Sequence, residues 1–432
     1  MKEAQLKKSL TPLLLWALGV GYVISGMYFG WNLGLAKGGT YGMLIAIAGV
    51  IVLYGCFTFS YAELAGAIPK AGGVFDYAAR AFNKEAGFVA GMAQWIEFVL
   101  APPAIAIAIG TYLHISFPGI SVTGAAILVY LIFTGLNIYG IRAAARFELL
   151  ITLLAVAELL LFASLTLPHF SVAAFTSKSF VFGWNGVFAA LPFAIWFFLG
   201  IEGLANVAEE CVHPQRDIVR GFGSALFTLV VLCMLVFFSA VGVQGWEAIV
   251  NLPDGTTSDS PLPLALGKIV STSNIYYQLL VGIGLFGLLA SFHGLMLAGG
   301  RASYEMGKVG QLPAWLGTIH PTFQTPATAL VVNAIIGIGI VLTNATAEII
   351  TLSVFGALTL YIIAMLSLIK LRNQEPGLNR PFRVPGYPYT PYCALLLSVI
   401  ALLSLIWYNT TLAIGFFLIM GCSFVLYKWK SS

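Results

Sequence analysis

Apolar residues in this chain fall in runs of about twenty, separated by short stretches that gather Lys, Arg, Pro and Gly. Twelve runs can be marked, near 12–35, 42–66, 86–113, 122–141, 147–167, 186–208, 220–243, 276–300, 327–343, 347–369, 391–408 and 411–427. A hydrocarbon core about 30 Å thick needs roughly 20 apolar residues of helix, so each run predicts a spanning helix. Lipid offers the backbone no hydrogen-bond partners, which leaves helices as the natural form for segments of this length. The pattern predicts an all-α membrane protein with twelve transmembrane helices. It forms one transmembrane domain over residues 1–432, with no room for a separate soluble unit. The first run is too long for a cleaved signal peptide and is read as a retained helix.

Composition agrees: 59% of residues are hydrophobic and 9% charged, against roughly 25% charged in soluble domains. With the N-terminus inside, Lys37, Lys178 and Lys268 fall outside. The other basic residues fall on the inner side, among them Lys7, Lys8, Lys70, Arg80, Arg142, Arg146, Arg216, Arg220, Arg301, Lys308, Arg372, Arg380, Arg383 and Lys428. That skew follows the positive-inside rule and predicts a multi-pass protein of the cytoplasmic (plasma) membrane with both termini cytoplasmic. These residues orient helices, and no nucleic-acid partner is expected. The cysteines (Cys56, Cys211, Cys233, Cys393, Cys422) lack metal or redox spacing and mostly sit within runs, as small apolar side chains.

Polar residues inside the runs carry the chemistry. Trp196-Phe-Phe-Leu-Gly-Ile-Glu-Gly203 places Glu202 at the centre of the sixth run, with Gly200 and Gly203 beside it. An ionised carboxylate there costs several kcal/mol unless paired or wetted, and glycines loosen the helix and free backbone groups. The stretch reads as a binding or proton-handling site, against the alternative of a packing glycine pair with a glutamate bonded to a neighbouring helix. The first run holds Leu18-Gly-Val-Gly-Tyr-Val-Ile-Ser-Gly-Met-Tyr-Phe-Gly-Trp-Asn-Leu-Gly34, with the break expected at Ser25-Gly26. Glu97 lies in the third run, ahead of Pro102-Pro103, which are expected to kink it. Glu158 in the fifth is either a proton carrier or a structural hydrogen-bonding group. His293 in Ser291-Phe-His-Gly294 is a weaker relay candidate. Runs nine to twelve, with few polar residues beyond Asn333, Glu348 and Asn409, read as scaffold. The stretch Gln244 to Asn274 is external, with a short helix expected near Pro263–Val270.

The second run ends in Tyr61-Ala-Glu-Leu-Ala-Gly-Ala-Ile-Pro-Lys-Ala-Gly-Gly73, which resembles a signature of the amino acid–polyamine–organocation superfamily of secondary transporters. Further motifs follow in the same order. Phe198-Leu-Gly-Ile-Glu202 with Ala208-Glu-Glu, Pro214 and Arg216 resembles the sixth helix and its exit. Gly300-Arg301, Tyr304 and Gly310-Gln-Leu-Pro313 resemble the segment after the eighth. Arg380-Pro-Phe-Arg-Val-Pro-Gly-Tyr-Pro388 resembles the loop before the eleventh. The resemblance implies a 5+5 inverted repeat (1–167 and 186–370) with helices 11 and 12 (391–428) appended. Substrate would sit at the midplane between the broken first and sixth helices, in agreement with the two interruptions read from the residues.

Amino acid carriers of the superfamily commonly hold the substrate carboxylate on a G-x-G break; the aligned residues here are Ile24-Ser25-Gly26. A β-branched residue narrows that backbone freedom, while Glu97 adds an anion. Loss of an anion cradle and gain of an anion both point to an amine without a carboxylate. Tyr28, Trp196 and Phe198 offer cation–π faces worth roughly 0.5–2 kcal/mol each. Within the superfamily, Tyr28-Phe-Gly-Trp-Asn32, Ala101-Pro-Pro-Ala-Ile105, Phe147-Glu-Leu and Ala155-Val-Ala-Glu-Leu159 resemble segments of the ethanolamine permeases. The expectation is ethanolamine uptake by proton symport and alternating access. The substrate-binding residues are Ser25, Gly26, Tyr28, Glu97, Trp196, Phe198, Leu199 and Gly200, with Glu202, Glu158 and His293 for proton coupling or gating. The alternative is an amino acid or polyamine permease of the same fold. A channel would show non-saturable flux. The histidines (His114, His169, His213, His293, His320) form no nucleophile–base or metal pattern, so no enzyme, cofactor or metal is expected.

Overall fold

The structure, a computed structural model, describes residues 10–139, 144–252 and 254–431. The basic lead Lys2 to Lys8 and Arg142 lie outside the described residues, as does the side chain of Arg146. In chain order the helices are α1 (Pro12–Val23), α2 (Ser25–Tyr28), α3 (Asn32–Ala67), α4 (Val74–Ala81), α5 (Lys84–Ser116), α6 (Val122–Tyr139) and α7 (Ala144–Thr166). There follow α8 (Val172–Thr176), α9 (Gly183–Trp196), α10 (Pro214–Gln244), α11 (Glu247–Val250), α12 (Pro261–Leu266) and α13 (Ile275–Lys308). The last four are α14 (Ala327–Val341), α15 (Thr346–Gln374), α16 (Tyr389–Tyr408) and α17 (Thr410–Ser431). Tight 3-10 segments cover Leu167–His169, Ile201–Glu210 and Ala314–Gly317.

Among the described residues ten segments are long and apolar enough to span, counting Gly183–Glu210 as one. Pro12–Val23 and Ala327–Val341 are apolar but shorter, and they occupy two of the twelve expected runs. The boundary expected between runs one and two, residues 35–42, lies inside α3. Two helices meet there at Gly39 (φ 65°, ψ −172°), and the Tyr41 N–H donates at 2.6 Å to the Ser179 carbonyl instead of within the helix. A Cβ there would stand 2.7 Å from the Lys178 carbonyl oxygen, so the turn needs both the left-handed conformation and the missing side chain. The kink expected at Pro102-Pro103 does not end α5, which runs through both. The external helix expected near Pro263–Val270 is α12, starting two residues earlier with Pro261 in its first turn, where a missing N–H costs nothing.

Burial orders the bundle. The most apolar windows of Gly183–Glu210, α5 and α15 are 83%, 72% and 72% buried, whereas that of α17 is 11% buried, so the first three form the centre and α17 the edge. Close approach at the centre rests on small residues: a Cβ at Gly356 of α15 would lie 2.6 Å from the Ala93 carbonyl and 2.9 Å from the Glu97 amide of α5. Among the described residues the arrangement is an all-α membrane bundle.

Candidate functional site around two broken helices

The first span loses its regular hydrogen bonding at its middle. The Ser291 hydroxyl of α13 donates to the Gly21 carbonyl at 2.6 Å and accepts the Ser25 N–H at 2.9 Å. A side chain from another helix thus occupies the place of one i→i−4 bond. Ser25–Tyr28 makes one more turn, after which Phe29 is extended and Gly30 adopts φ 85°. The break expected at Ser25-Gly26 therefore begins at Ile24 and is complete only at Phe29–Trp31. Gly26 packs against the Trp196 carbonyl, leaving no room for a side chain.

The sixth span breaks after Trp196. Gly200 takes φ 99°, open to glycine, and the chain continues as a 3-10 segment rather than an α-helix. Its first turn closes with the Gly203 N–H donating to the Gly200 carbonyl at 3.0 Å. The Gly200 N–H donates to Glu202 Oε1 at 3.1 Å, so the glutamate caps the break it sits in.

Around Glu202 the structure gathers a compact buried group. Its other oxygen accepts the Tyr361 hydroxyl at 3.0 Å, and Tyr361 shares a 2.8 Å hydrogen bond with the Tyr54 hydroxyl. The Glu97 carboxyl lies near that of Glu202, and both of its oxygens are buried without a hydrogen-bond partner among the described residues. Two carboxyl groups side by side repel when both are ionised, so the place favours a proton or a cation between them. Phe198 packs on Tyr54 with ring centroids 5.1 Å apart, and Phe57 lies 4.0 Å from Tyr361. Leu199 is buried beside Gly200. Two tyrosines that the sequence reading did not select complete the site. Tyr361 lies on α15, read from sequence as scaffold. That assignment is corrected: the helix supplies a hydrogen bond to Glu202. A tyrosine mid-span was the available signal, but helical periodicity alone does not tell a core-facing hydroxyl from an interfacial one.

Other expected residues fall elsewhere. Tyr28 is buried, and its hydroxyl donates to Glu158 Oε2 at 2.5 Å and to the Ala155 carbonyl at 3.2 Å. Its ring meets Tyr112 edge-on at 6.3 Å. Tyr28 and Glu158 thus form a separate pair between the first and fifth spans. His293 Nδ1 stands 3.8 Å from Glu148 Oε2, a carboxylate not selected from sequence and buried against Gly21 and Thr152. Trp196 packs edge-on against Phe29 at 5.5 Å, and its indole N–H, near Gly30, has no partner among the described residues. No group of three or more His, Cys, Asp or Glu fit for a metal occurs among the described residues.

One face of the bundle is tied by ion pairs. Arg372 binds Glu63 through two bonds of 2.7 and 2.6 Å, and Arg380 approaches the same carboxylate at 3.4 Å. Arg301 binds Glu210 at 2.6 Å, at the end of the 3-10 segment. Arg80 and Glu375 pair nearer solvent at 2.6 Å, and the guanidinium holds the Glu375 carboxyl below its ordinary pKa.

Comparison with known proteins gives a consistent result. A family model described as amino acid permease matches residues 10–426. An uncharacterized transporter of Rhizobium meliloti (strain 1021) is 28% identical, covering 92% of this chain and 85% of its own length. A methylthioribose transporter of Bacillus subtilis (strain 168) is 27% identical over 90% of this chain and 87% of its own. A branched-chain amino acid permease of the same organism is 24% identical over 100% and 95%.

Proposed function

The chain belongs to the amino acid permease family, and from that premise we propose that it imports ethanolamine across the plasma membrane by proton symport. As a member it is a multi-pass secondary transporter of the amino acid–polyamine–organocation kind, not an enzyme. The observation that carries the substrate reading is the Glu97–Glu202 carboxyl pair at the sixth-span break. Two carboxylates, one proton and one ammonium sum to a neutral site, which can be closed off from water and carried across at low electrostatic cost. A site loaded with ammonium alone keeps a net negative charge, so substrate and proton travel together. The first break supports the same reading. The Ser25 N–H, which would help cradle a substrate carboxylate, is already taken by Ser291. Phe198, packed on Tyr54, offers a ring face beside the pair.

The names of relatives favour a second reading, a small or branched-chain amino acid as substrate. Radiolabelled ethanolamine uptake into proteoliposomes separates the two, run with and without an acid-outside gradient and challenged by unlabelled ethanolamine, serine and valine. Ethanolamine import driven by the gradient and weakly inhibited by the amino acids is the expected result. Strong inhibition by serine or valine with none by ethanolamine overturns the amine reading.

A further inference from the structure

One turn beyond the carboxyl pair, the same helices supply a second set of polar side chains. Gln94 precedes Glu97 by three residues on α5 and so lies on nearly the face of its carboxylate, while Asn206 follows Glu202 by four residues on the 3-10 segment, just over one turn on. On α3, Tyr61 follows Tyr54 by seven residues, again on one face. These side chains converge on Gly73, at the foot of the turn before α4. A Cβ there would lie 2.8 Å from Asn206 Oδ1, 3.2 Å from the Tyr61 hydroxyl and 3.7 Å from Gln94 Oε1. Gly73 itself holds φ 58°, and its missing side chain leaves the cradle open.

The groups facing this space are buried and unsatisfied. Asn206 is 2% exposed and Gln94 2% exposed. Both polar atoms of the Asn206 amide, the Gln94 oxygen and the Tyr77 hydroxyl have no hydrogen-bond partner among the described residues. Buried polar atoms are normally paired, and each one left open is costly. Four in one place mark a site whose partner comes and goes. Tyr61 stacks on Phe57 at 5.1 Å and meets Tyr77 edge-on at 5.6 Å, which fixes its hydroxyl in the cradle and sets Tyr77 beside it. Below lies the turn at Ala71, whose N–H donates to Glu209 at 3.1 Å. It faces the side that carries Arg80, Arg301 and Arg372, cytoplasmic by the charge rule.

We propose that Gln94, Asn206, Tyr61 and Tyr77 form a release subsite that holds the primary ammonium of the substrate on its way from the carboxyl pair to the cytoplasm. The chemistry is selective: amide and phenol oxygens accept from an ammonium without the full charge that would trap it. The inference rests on the amine reading for its ethanolamine arm only, because every amino acid carries the same ammonium.

The test is transport in proteoliposomes measured in both directions, zero-trans uptake and zero-trans efflux, for wild type, Gln94→Leu, Asn206→Leu and Asn206→Asp, with ethanolamine and L-serine each as labelled substrate. The leucine variants should raise the half-saturating concentration at the cytoplasmic face at least fivefold while shifting the outer face less than twofold. Asn206→Asp, which adds a charge to the same cradle, should lower the cytoplasmic value, a change of sign that a structural role does not produce. If the leucine variants fail to fold, Asn206→Asp and Gln94→Glu carry the test alone. Equal shifts at both faces, or none at either, overturn the subsite. Transport of L-serine alone overturns the ethanolamine reading while the subsite is judged on serine. Transport of neither compound overturns both.

Discussion

The Ser25 amide donates at 2.9 Å to the hydroxyl of Ser291, a residue 266 positions away, where a regular helix would send it to the Gly21 carbonyl. The first span is therefore held open by the eighth, and the opening is a hydrogen-bonded state rather than a fray. Ser291→Ala removes the inserted group and leaves a buried donor and acceptor to find each other or stay unpaired, at about 1–3 kcal/mol. Uptake should fall at least fivefold, and hydrogen exchange across residues 21–29 should change. Unaltered exchange together with normal uptake would sink the idea that this hydroxyl sets the break.

The paired carboxylates should separate by role. Glu97 is approached by Glu202 and by no cation, which leaves it the natural contact for an ammonium. Glu97→Gln keeps the shape and removes the charge, so equilibrium binding of ethanolamine should weaken tenfold or more, about 1.4 kcal/mol per decade. Glu202 also bonds the Gly200 amide and Tyr361, so its environment changes whenever the half-helices move. Glu202→Gln should bind nearly as wild type yet lose the acceleration by an acid-outside gradient. Normal binding by both variants would assign the ammonium to carbonyls and rings instead.

Sequence reading marked twelve apolar runs, ten of which carry helices long enough to span among the described residues; it set the sixth-span break beside Gly200 and picked Glu97 and Glu202, both of which are buried. Each of these rests on strong local signals, length of apolar run, glycine next to carboxylate, and charge within a span. It did not reach Tyr54 or Tyr361, because a tyrosine fits both a lipid interface and a buried hydrogen bond. Nor did it separate Tyr28 from the centre. That residue follows the break by sequence, but its hydroxyl is turned to Glu158 by the helical turn Ser25–Tyr28, a geometry set by Ser291 from another helix. The 3-10 form of Ile201–Glu210 was likewise invisible, since no residue in it forbids an α-helix.

The ion pairs on the basic face differ in weight by their burial. Glu63 is fully buried and holds Arg372, Arg380 and the Val384 N–H, the last at 2.7 Å, so it joins the end of α3 to the loop after α15. Removing one member of a buried pair costs about 3–5 kcal/mol because the others stay behind unpaired. Glu63→Gln should lower the melting temperature clearly and speed hydrogen exchange over residues 376–388. Arg80→Ala breaks a half-exposed pair worth about 0–1 kcal/mol and should change neither much. Equal effects from the two substitutions would refute the ranking.

On the opposite face, the loop between α11 and α12 sits over the first break. Asn32, at the start of α3, donates to the Ser258 carbonyl at 2.8 Å and the Ile249 carbonyl at 3.2 Å. Asp259 fastens the same loop to α15 by accepting the Thr346 hydroxyl at 3.0 Å. Burial pushes the Asp259 carboxyl from 3.8 up to about 6, while the Thr346 bond works in the other direction. The docked loop thus favours the protonated acid. Its contribution is fully present below the ordinary carboxylate range and fades as pH rises through about 6. Asp259→Asn is neutral at every pH and keeps an acceptor for Thr346, so it should melt like wild type near pH 3 and above it near pH 7.5. A melting difference that stays constant across this interval would show that the carboxyl titrates alike in the docked and free loop.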